Sequence, residues 1–326
     1  TRLTPAELGL AASIGLHQLQ VARRPRVALF STGDELVMPG EVPPEQMRPG
    51  AIYNSNRFFL RAMLQRLGCE VTDFGIVPDR RDATIEALRA ASSAHDLILT
   101  SGGVSVGEED HVKPAVQAEG QLDLWLVAMK PGKPVAFGRV NDPAGGNGAD
   151  FIGLPGNPVS SFVTFLMLVR PFILRRMGVE DCLPRAIPLP AGFDWPRPDR
   201  RREFLRARVG EAGRVELFPN QGPGVLSSTV WAAGLVDNPA GHAIAQGGED
   251  DDGSDADRHG EHRQRGAQGR AERGITSEAQ GVGEAHVQVG RAKLLGAFMA
   301  TPNRSSVVRP PSPVGGRLGR RATGHG

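Results

Sequence analysis

The stretch that decides the fold is "LILTSGGVSVGEEDH", residues 97–111. Leu97, Ile98 and Leu99 form a short β-rich apolar run that suits a strand buried on both faces. Ser101-Gly102-Gly103 then ends the run as an abrupt turn with open backbone amides, and Glu108, Glu109 and Asp110 follow it. Such a turn can hold a ligand. Taken alone, it serves equally well as a tight structural turn.

Working outward, strand-like and helix-like runs alternate on both sides of this stretch. Residues 26–31 ("RVALFS"), 70–76 ("EVTDFGI") and 96–100 ("DLILT") read as strands, and 56–68 and 84–91 as helices. Downstream, "LDLWLVAM", "PVAFGRV" and "DFIGL" read as strands, and a long helix is expected over about 158–177. This alternation predicts an α/β domain with a largely parallel sheet covered on both faces. After Gly178 the runs shorten and are separated by Pro and Gly, so residues 179–248 read as a small β domain. Residues 249–326 hold an almost wholly polar run, "GEDDDGSDADRHGEHRQRGAQGRAERG", and a Pro, Gly and Arg-rich end. Disorder or an aberrant C-terminus is the expectation there. The acidic run is no EF-hand: Gly253 at the sixth loop position would put Gly248 first and His259 twelfth, where carboxylates are needed.

Composition narrows the function classes. At 326 residues the chain has room for two cores, and its formal charge of +2 gives no reason to expect nucleic acid. A hydrophobic fraction of 40% and a mean hydropathy of -0.25 describe a soluble globular chain. Cys69 and Cys182 form no CxxC pair, which fits a reducing compartment and predicts a cytoplasmic protein. The most apolar run, residues 162–174, is shorter than the roughly 20 residues a span requires and contains Arg170-Pro171, so neither a membrane partner nor a signal peptide is expected. Residues 1–23 read as a lead-in that continues an earlier part of a longer protein.

Three strand exits share one chemistry: "FSTGDEL", "TSGGVSVGEED" and "GLPGNPVSS". Ligands of open α/β sheets bind beyond the carboxyl ends of the strands, so the three exits should line one crevice. Gly102, Gly103 and Gly107 allow close backbone approach, and Thr100, Ser101 and Ser105 add hydroxyls, a combination suited to phosphate or another oxyanion. Asn157 is an expected N-cap with Pro158 at the first helical position, which by itself is ordinary helix-start chemistry. Asp34, Glu35, Asp79, Glu108, Glu109 and Asp110 supply carboxylates that suit Mg²⁺ beside a phosphate; solvated loop charge is the plainer account of Glu108 and Glu109. "MKPGKPVAFG" sets Lys130 and Lys133 around Pro131-Gly132 as an anion clamp, where the common alternative is two surface lysines. The chain has no Walker A loop, GxGxxG fingerprint or GxSxG elbow, so ATP hydrolysis, NAD binding and serine hydrolysis lose their usual support.

"PRVALFSTGDELVMPGE", "GIVPDRRD", "TSGGVSVGEEDHVK", "AMKPGKPVAFG" and "GLPGNPVSSFVTF" together resemble, in order, the motifs of the molybdopterin molybdenumtransferase family, which includes the E domain of gephyrin. The resemblance implies that residues 24–178 are a three-layer α/β molybdopterin-binding domain and that residues 179–248 are a C-terminal β-barrel domain. It implies insertion of molybdate into adenylylated molybdopterin with release of AMP, assisted by Mg²⁺. It assigns Thr32, Gly33, Asp34, Glu35, Ser101, Gly102, Gly103, Ser105, Pro155, Gly156, Asn157 and Pro158 to the substrate site, and Asp79, Asp110, Lys130 and Lys133 to catalysis. Glu35, Asp79 and Asp110 would be the metal ligands. Implied partners are molybdopterin-AMP and molybdate, a second subunit in a homodimer, molybdopterin adenylyltransferase and acceptor molybdoenzymes. Members carry two domains ahead of the position where this chain begins, which sets a non-catalytic molybdopterin-binding or scaffold module against the enzyme reading. The adenylyltransferase is a further alternative, against which "LPGNPVSS" and the following β domain speak. "QGPGVLSS", residues 221–228, carries Pro223 where the family has serine.

Overall fold

The computed structural model describes residues 3–104, 111–246 and 291–295. A short helix α1 (Pro5–Ser13), closed by a Thr4/Glu7 capping box, leads to β1 (Arg26–Thr32). The small strands β2 (Leu36–Val37) and β3 (Ile52–Tyr53) pair with each other before α2 (Ser55–Arg66), β4 (Glu70–Val77), α3 (Arg81–Ser92) and β5 (Leu97–Ser101). Helix α4 (Val112–Glu119), β6 (Gly120–Leu126), β7 (Met129–Lys130), β8 (Pro134–Val140) and β9 (Ala149–Leu154) follow. The expected long helix is present as α5 (Pro158–Thr164), a π-helical segment (Phe165–Val169) and α6 (Arg170–Arg176). Pro171 lies just after the π segment, whose looser backbone accommodates a residue with no N–H to give, so the helix runs on through it.

The sheet runs β4-β1-β5-β9-β8-β6, with β4, β1, β5 and β9 parallel and β8 reversed between β9 and β6. Alternate residues of β1 serve opposite faces: Val27 and Leu29 pack with α2, α5 and α6, while Ala28 and Phe30 pack with α3 and α4. All four are fully buried. The three layers follow from this double-sided burial, as the continuous apolar run in β5 predicted. The helix Pro158–Arg176 is long and apolar enough to cross a membrane, but here Val159, Val163, Phe165, Leu166, Val169 and Ile173 form one wall of the core. Burial pushes the Cys69 thiol up to about 11, which leaves it inert.

The second sheet, β10 (Ala186–Pro190), β14 (Arg291–Leu295), β13 (Gly234–Asn238), β11 (Arg202–Val209) and β12 (Val215–Leu217), is closed by a bridge from Ala191 to Val215 and forms a small barrel. Its core holds Leu205, Ala207, Val215, Val236 and Ile244, and a short helix α7 (Ser227–Trp231) lies on β11. β14 lies within residues 249–326, the segment expected to be disordered or aberrant. This strand pairs with both β10 and β13, two strands that would otherwise present open edges. β11 also pairs with β7, and Phe204 and Leu235 join the core of the α/β domain, so the barrel is packed onto that domain.

Candidate functional site

Because β1, β5 and β9 are adjacent and parallel, their carboxyl ends meet at one edge of the sheet. Gly102 and Gly103 have φ of 90° and 65°, a region open to glycine. A Cβ on Gly102 would lie 2.3 Å from the Thr32 carbonyl oxygen, and one on Gly103 would lie 2.4 Å from Thr32 Oγ1. The β5 exit therefore rests directly on the β1 exit. The Gly102 N–H donates to the Leu154 carbonyl at 3.1 Å, which joins the β9 exit to the other two.

Asn56, in the first turn of α2, ties the cluster from behind. Its Nδ2 donates to Ser101 Oγ at 2.7 Å and to the Gly156 carbonyl at 2.7 Å. The sequence reading passed over Asn56, although "NSN" before a helix is the pattern that would have singled it out. Three buried polar atoms at this edge, Thr32 Oγ1, Thr100 Oγ1 and Asn54 Nδ2, have no hydrogen-bond partner. Buried groups of this kind call for a water or a ligand. Asn157 sits at the N-cap position of α5, but its side chain makes no cap bond. Instead the Val159 N–H donates to the Pro223 carbonyl at 3.0 Å, so the barrel loop 221–224 reaches the helix start through backbone, which proline supplies as well as serine. Arg206, fully buried on β11, supports that loop with Nη2 at 3.4 Å from the Gly222 carbonyl and Nε at 3.2 Å from Ser228 Oγ. Burial lowers its guanidinium to about 10.

The acidic residues are spread along the edge. Asp34 and Glu35 are exposed after β1, with the Glu35 carboxylate folded over Gly33, and Asp79 follows β4 with its Oδ1 buried. Ser105 and Asp110 lie outside the described residues. Among the described residues no three His, Cys, Asp or Glu side chains gather around one point. The carboxylates of Glu35 and Asp79, which follow the adjacent strands β1 and β4, are of the donor type that Mg²⁺ takes one or two at a time, with substrate oxygens and water completing its shell.

The lysine turn reaches the same edge from β8. Ala136 pairs with Gly153 in an antiparallel ladder, which brings Pro134 level with Pro155. Gly132 lies against α5, where an added Cβ would stand 2.4 Å from Thr164 Cγ2. The two lysines differ in surroundings. Lys130 Nζ is 3.2 Å from Glu203 Oε1 and 3.4 Å from Asp199 Oδ2, so its charge is already met. Lys133 is exposed and lines a cleft of about 570 Å³ together with Asp199, Arg200 and Arg201. Arg201 binds both oxygens of Asp199, at 2.9 and 2.8 Å, and this guanidinium holds the Asp199 carboxyl well below the usual carboxylate range. Three cations facing one carboxylate make a cleft suited to an anion. Sequence reading missed Asp199, Arg200, Arg201 and Glu203, for "PDRRRE" looks like ordinary surface charge until β11 is known to pair with β7.

Two domain families match this chain: one described as "Probable molybdopterin binding domain" over residues 28–175, the other as "MoeA C-terminal region (domain IV)" over 188–250. Over these two regions the chain is similar to molybdopterin molybdenumtransferases. A molybdopterin molybdenumtransferase of Haemophilus influenzae is 39% identical over 240 residues, covering 73% of this chain and 56% of that protein. Molybdopterin molybdenumtransferase 2 of Mycobacterium tuberculosis is 36% identical over 259 residues, covering 73% of this chain and 58% of its own length. The crystal structure of a molybdopterin biosynthesis MoeA protein from Pyrococcus horikoshii matches with a TM-score of 0.61 at 28% identity, covering 73% of this chain and 56% of that one. The chain thus spans a little over half the length of these family members.

Proposed function

We propose that this chain carries the molybdenum-inserting portion of a molybdopterin molybdenumtransferase, in which molybdate enters adenylylated molybdopterin and AMP leaves. The observation that carries this reading is the placement of the cationic cleft at Lys133, Arg200 and Arg201 on the same sheet edge as the glycine-rich exits. One exit set suits a phosphorylated pterin, and the cleft suits a tetrahedral oxyanion. Molybdate would sit against Lys133 and Arg201, and the open amides around Gly102, Gly103 and the start of α5 would hold pterin and phosphate oxygens.

In this reading Thr32, Ser101 and Asn157 line the pterin site, and Gly33, Pro155, Gly156 and Pro158 shape its walls. Asp79, with Asp110, orients a water that attacks the adenylate phosphorus, so that AMP leaves carrying the water's oxygen. Lys133 stabilises the negative charge that develops on the molybdopterin phosphate as its bond to that phosphorus breaks. Mg²⁺ held by Glu35, Asp79 and Asp110 would supply electrostatic activation of the phosphate. The protein would act in the cytoplasm, as a homodimer when the remainder of the family's length is present, in contact with molybdopterin adenylyltransferase and acceptor molybdoenzymes.

The pairing of Lys130 with Glu203 and Asp199, which leaves one lysine of the turn already neutralised, favours a second reading, a pocket that binds molybdopterin without turnover. Isothermal titration of adenylylated molybdopterin into the chain, with Mg²⁺ and molybdate present and AMP followed in the same samples, separates the two. Binding with AMP release establishes transfer by this part alone. Binding without release establishes the module, and no binding refutes the site.

A further inference from the structure

We propose that Glu203 is a positioning residue for the anion cleft, acting from inside the barrel through Lys130 and Asp199. This deepens the reading above and rests on the cleft being an oxyanion site. Glu203 is fully buried on β11, directly opposite Lys130 in the β7–β11 ladder. One oxygen faces Lys130 Nζ at 3.2 Å. The other accepts from Trp195 Nε1 at 2.8 Å, the Asp199 backbone N–H at 3.1 Å and Asn238 Nδ2 at 3.3 Å. A single carboxylate thus fixes both the lysine and the backbone of the aspartate that orients Arg201.

The four side chains form a ladder of alternating charge: Glu203, Lys130, Asp199, Arg201. Its inner end is buried and hydrogen-bonded on all sides, and its outer end, Arg201, lines the cleft. An ion pair with one member fully buried, as Glu203 is beside the half-exposed Lys130, is a poor source of stability compared with apolar packing, because desolvation offsets most of the attraction. What they supply is a fixed place for each charge. Among the described residues neither Lys133 nor Arg200 has a carboxylate partner, so the ladder satisfies its own members and leaves these two cations for the ligand.

Charge and position make opposite forecasts for Glu203→Gln. Removing a negative charge beside the cleft should by Coulomb attraction alone tighten oxyanion binding. Loss of position should weaken it: the amide would turn its NH₂ toward Lys130, free the ammonium to compete for Asp199, and loosen Arg201. We expect E203Q to weaken molybdate binding by about tenfold, the scale of one charge-assisted hydrogen bond. The test is isothermal titration of molybdate into wild type, E203Q, K130M and the double variant, with thermal unfolding of each. The expected result is weaker binding in E203Q and no additional loss when E203Q is placed on K130M. Equal or tighter binding in E203Q overturns the proposal, as does the same fold-loss in both backgrounds, which would be a general effect on the fold. If E203Q does not fold, E203D, which keeps the charge but withdraws it by one methylene, gives the same comparison. Failure of wild type to bind molybdate refutes the oxyanion reading itself, and the role of Glu203 with it.

Discussion

At the scale of single residues, the site is made by what is absent. Gly102 has neither room nor conformation for a side chain: its φ is 90°, and a Cβ would stand 2.3 Å from a backbone carbonyl that cannot swing aside. Gly156, two residues before α5 on the neighbouring exit, has only the Gly102 Cα at 3.9 Å near its missing Cβ and no left-handed φ. Two glycines of one site should therefore answer differently to alanine. Gly102→Ala should cost roughly 2–3 kcal/mol through backbone strain and a forced separation of the β1 and β5 exits. Gly156→Ala should change stability by less than about 0.5 kcal/mol, as exposed substitutions without special geometry do. Urea unfolding of the two variants checks this, and equal midpoints would show that the close approach of the exits does not contribute to the fold.

At the scale of elements, β1, β5 and β9 were legible because strands buried on both faces are written as short unbroken apolar runs, and their glycine and proline endings announced the loops. The Gly102–Thr32 contact was implied by adjacency once the sheet was parallel. Helix α4 was not legible, since Val112–Glu119 carries a proline and only two turns of pattern. Nor was the charged ladder, whose members Lys130 and Glu203 are 73 residues apart and meet only because the barrel docks on the turn. The reversed strand β8 also needed the structure, as a parallel and an antiparallel edge strand share one pattern. The opposite end of the sheet has its own polar clasp. Asp96, before β5, accepts from the Arg26 N–H at 2.8 Å and from Arg23 Nη1 at 2.6 Å, and so joins the starts of β1 and β5. The Arg23 hydrogen bond leads in lowering the Asp96 carboxyl to about 2 from an ordinary 3.8. A depressed carboxylate contributes stability that is full above its unfolded value and lost as pH falls through its folded one. Asp96 should accordingly contribute roughly 1–2 kcal/mol above pH 4, a figure reduced for the solvent exposure of Arg23, and lose it between about pH 4 and pH 2. Asp96→Asn should flatten that part of the stability curve, measured by urea midpoints from pH 2 to 7. A variant whose acid slope matches wild type would remove Asp96 from the account.

At the scale of the whole molecule, the barrel serves the site in three places: β11 pairs with β7, Glu203 anchors Lys130, and Pro223 closes the start of α5. None of these contacts is made by β14, which lies on the other side of β13 between β13 and β10. The barrel's closure and its service to the site are thus separable. A chain ending at residue 290 should keep β11 on β7 and with it the cleft, because the ladder pairs and the shared core of Phe204 and Leu235 remain. It should lose the two-sided pairing of β14 and leave β10 and β13 with open edges. Unpaired edges recruit other chains, so the shortened chain should self-associate with rising concentration in sedimentation runs and show a lower Tm. Its affinity for molybdate, measured at dilutions where it is monomeric, should stay within about twofold of the parent, since no ladder residue has moved. A shortened chain that sediments and melts like the parent would mean that β14 does not close the barrel. One that loses molybdate with its stability unchanged would mean that the C-terminal segment reaches the cleft itself.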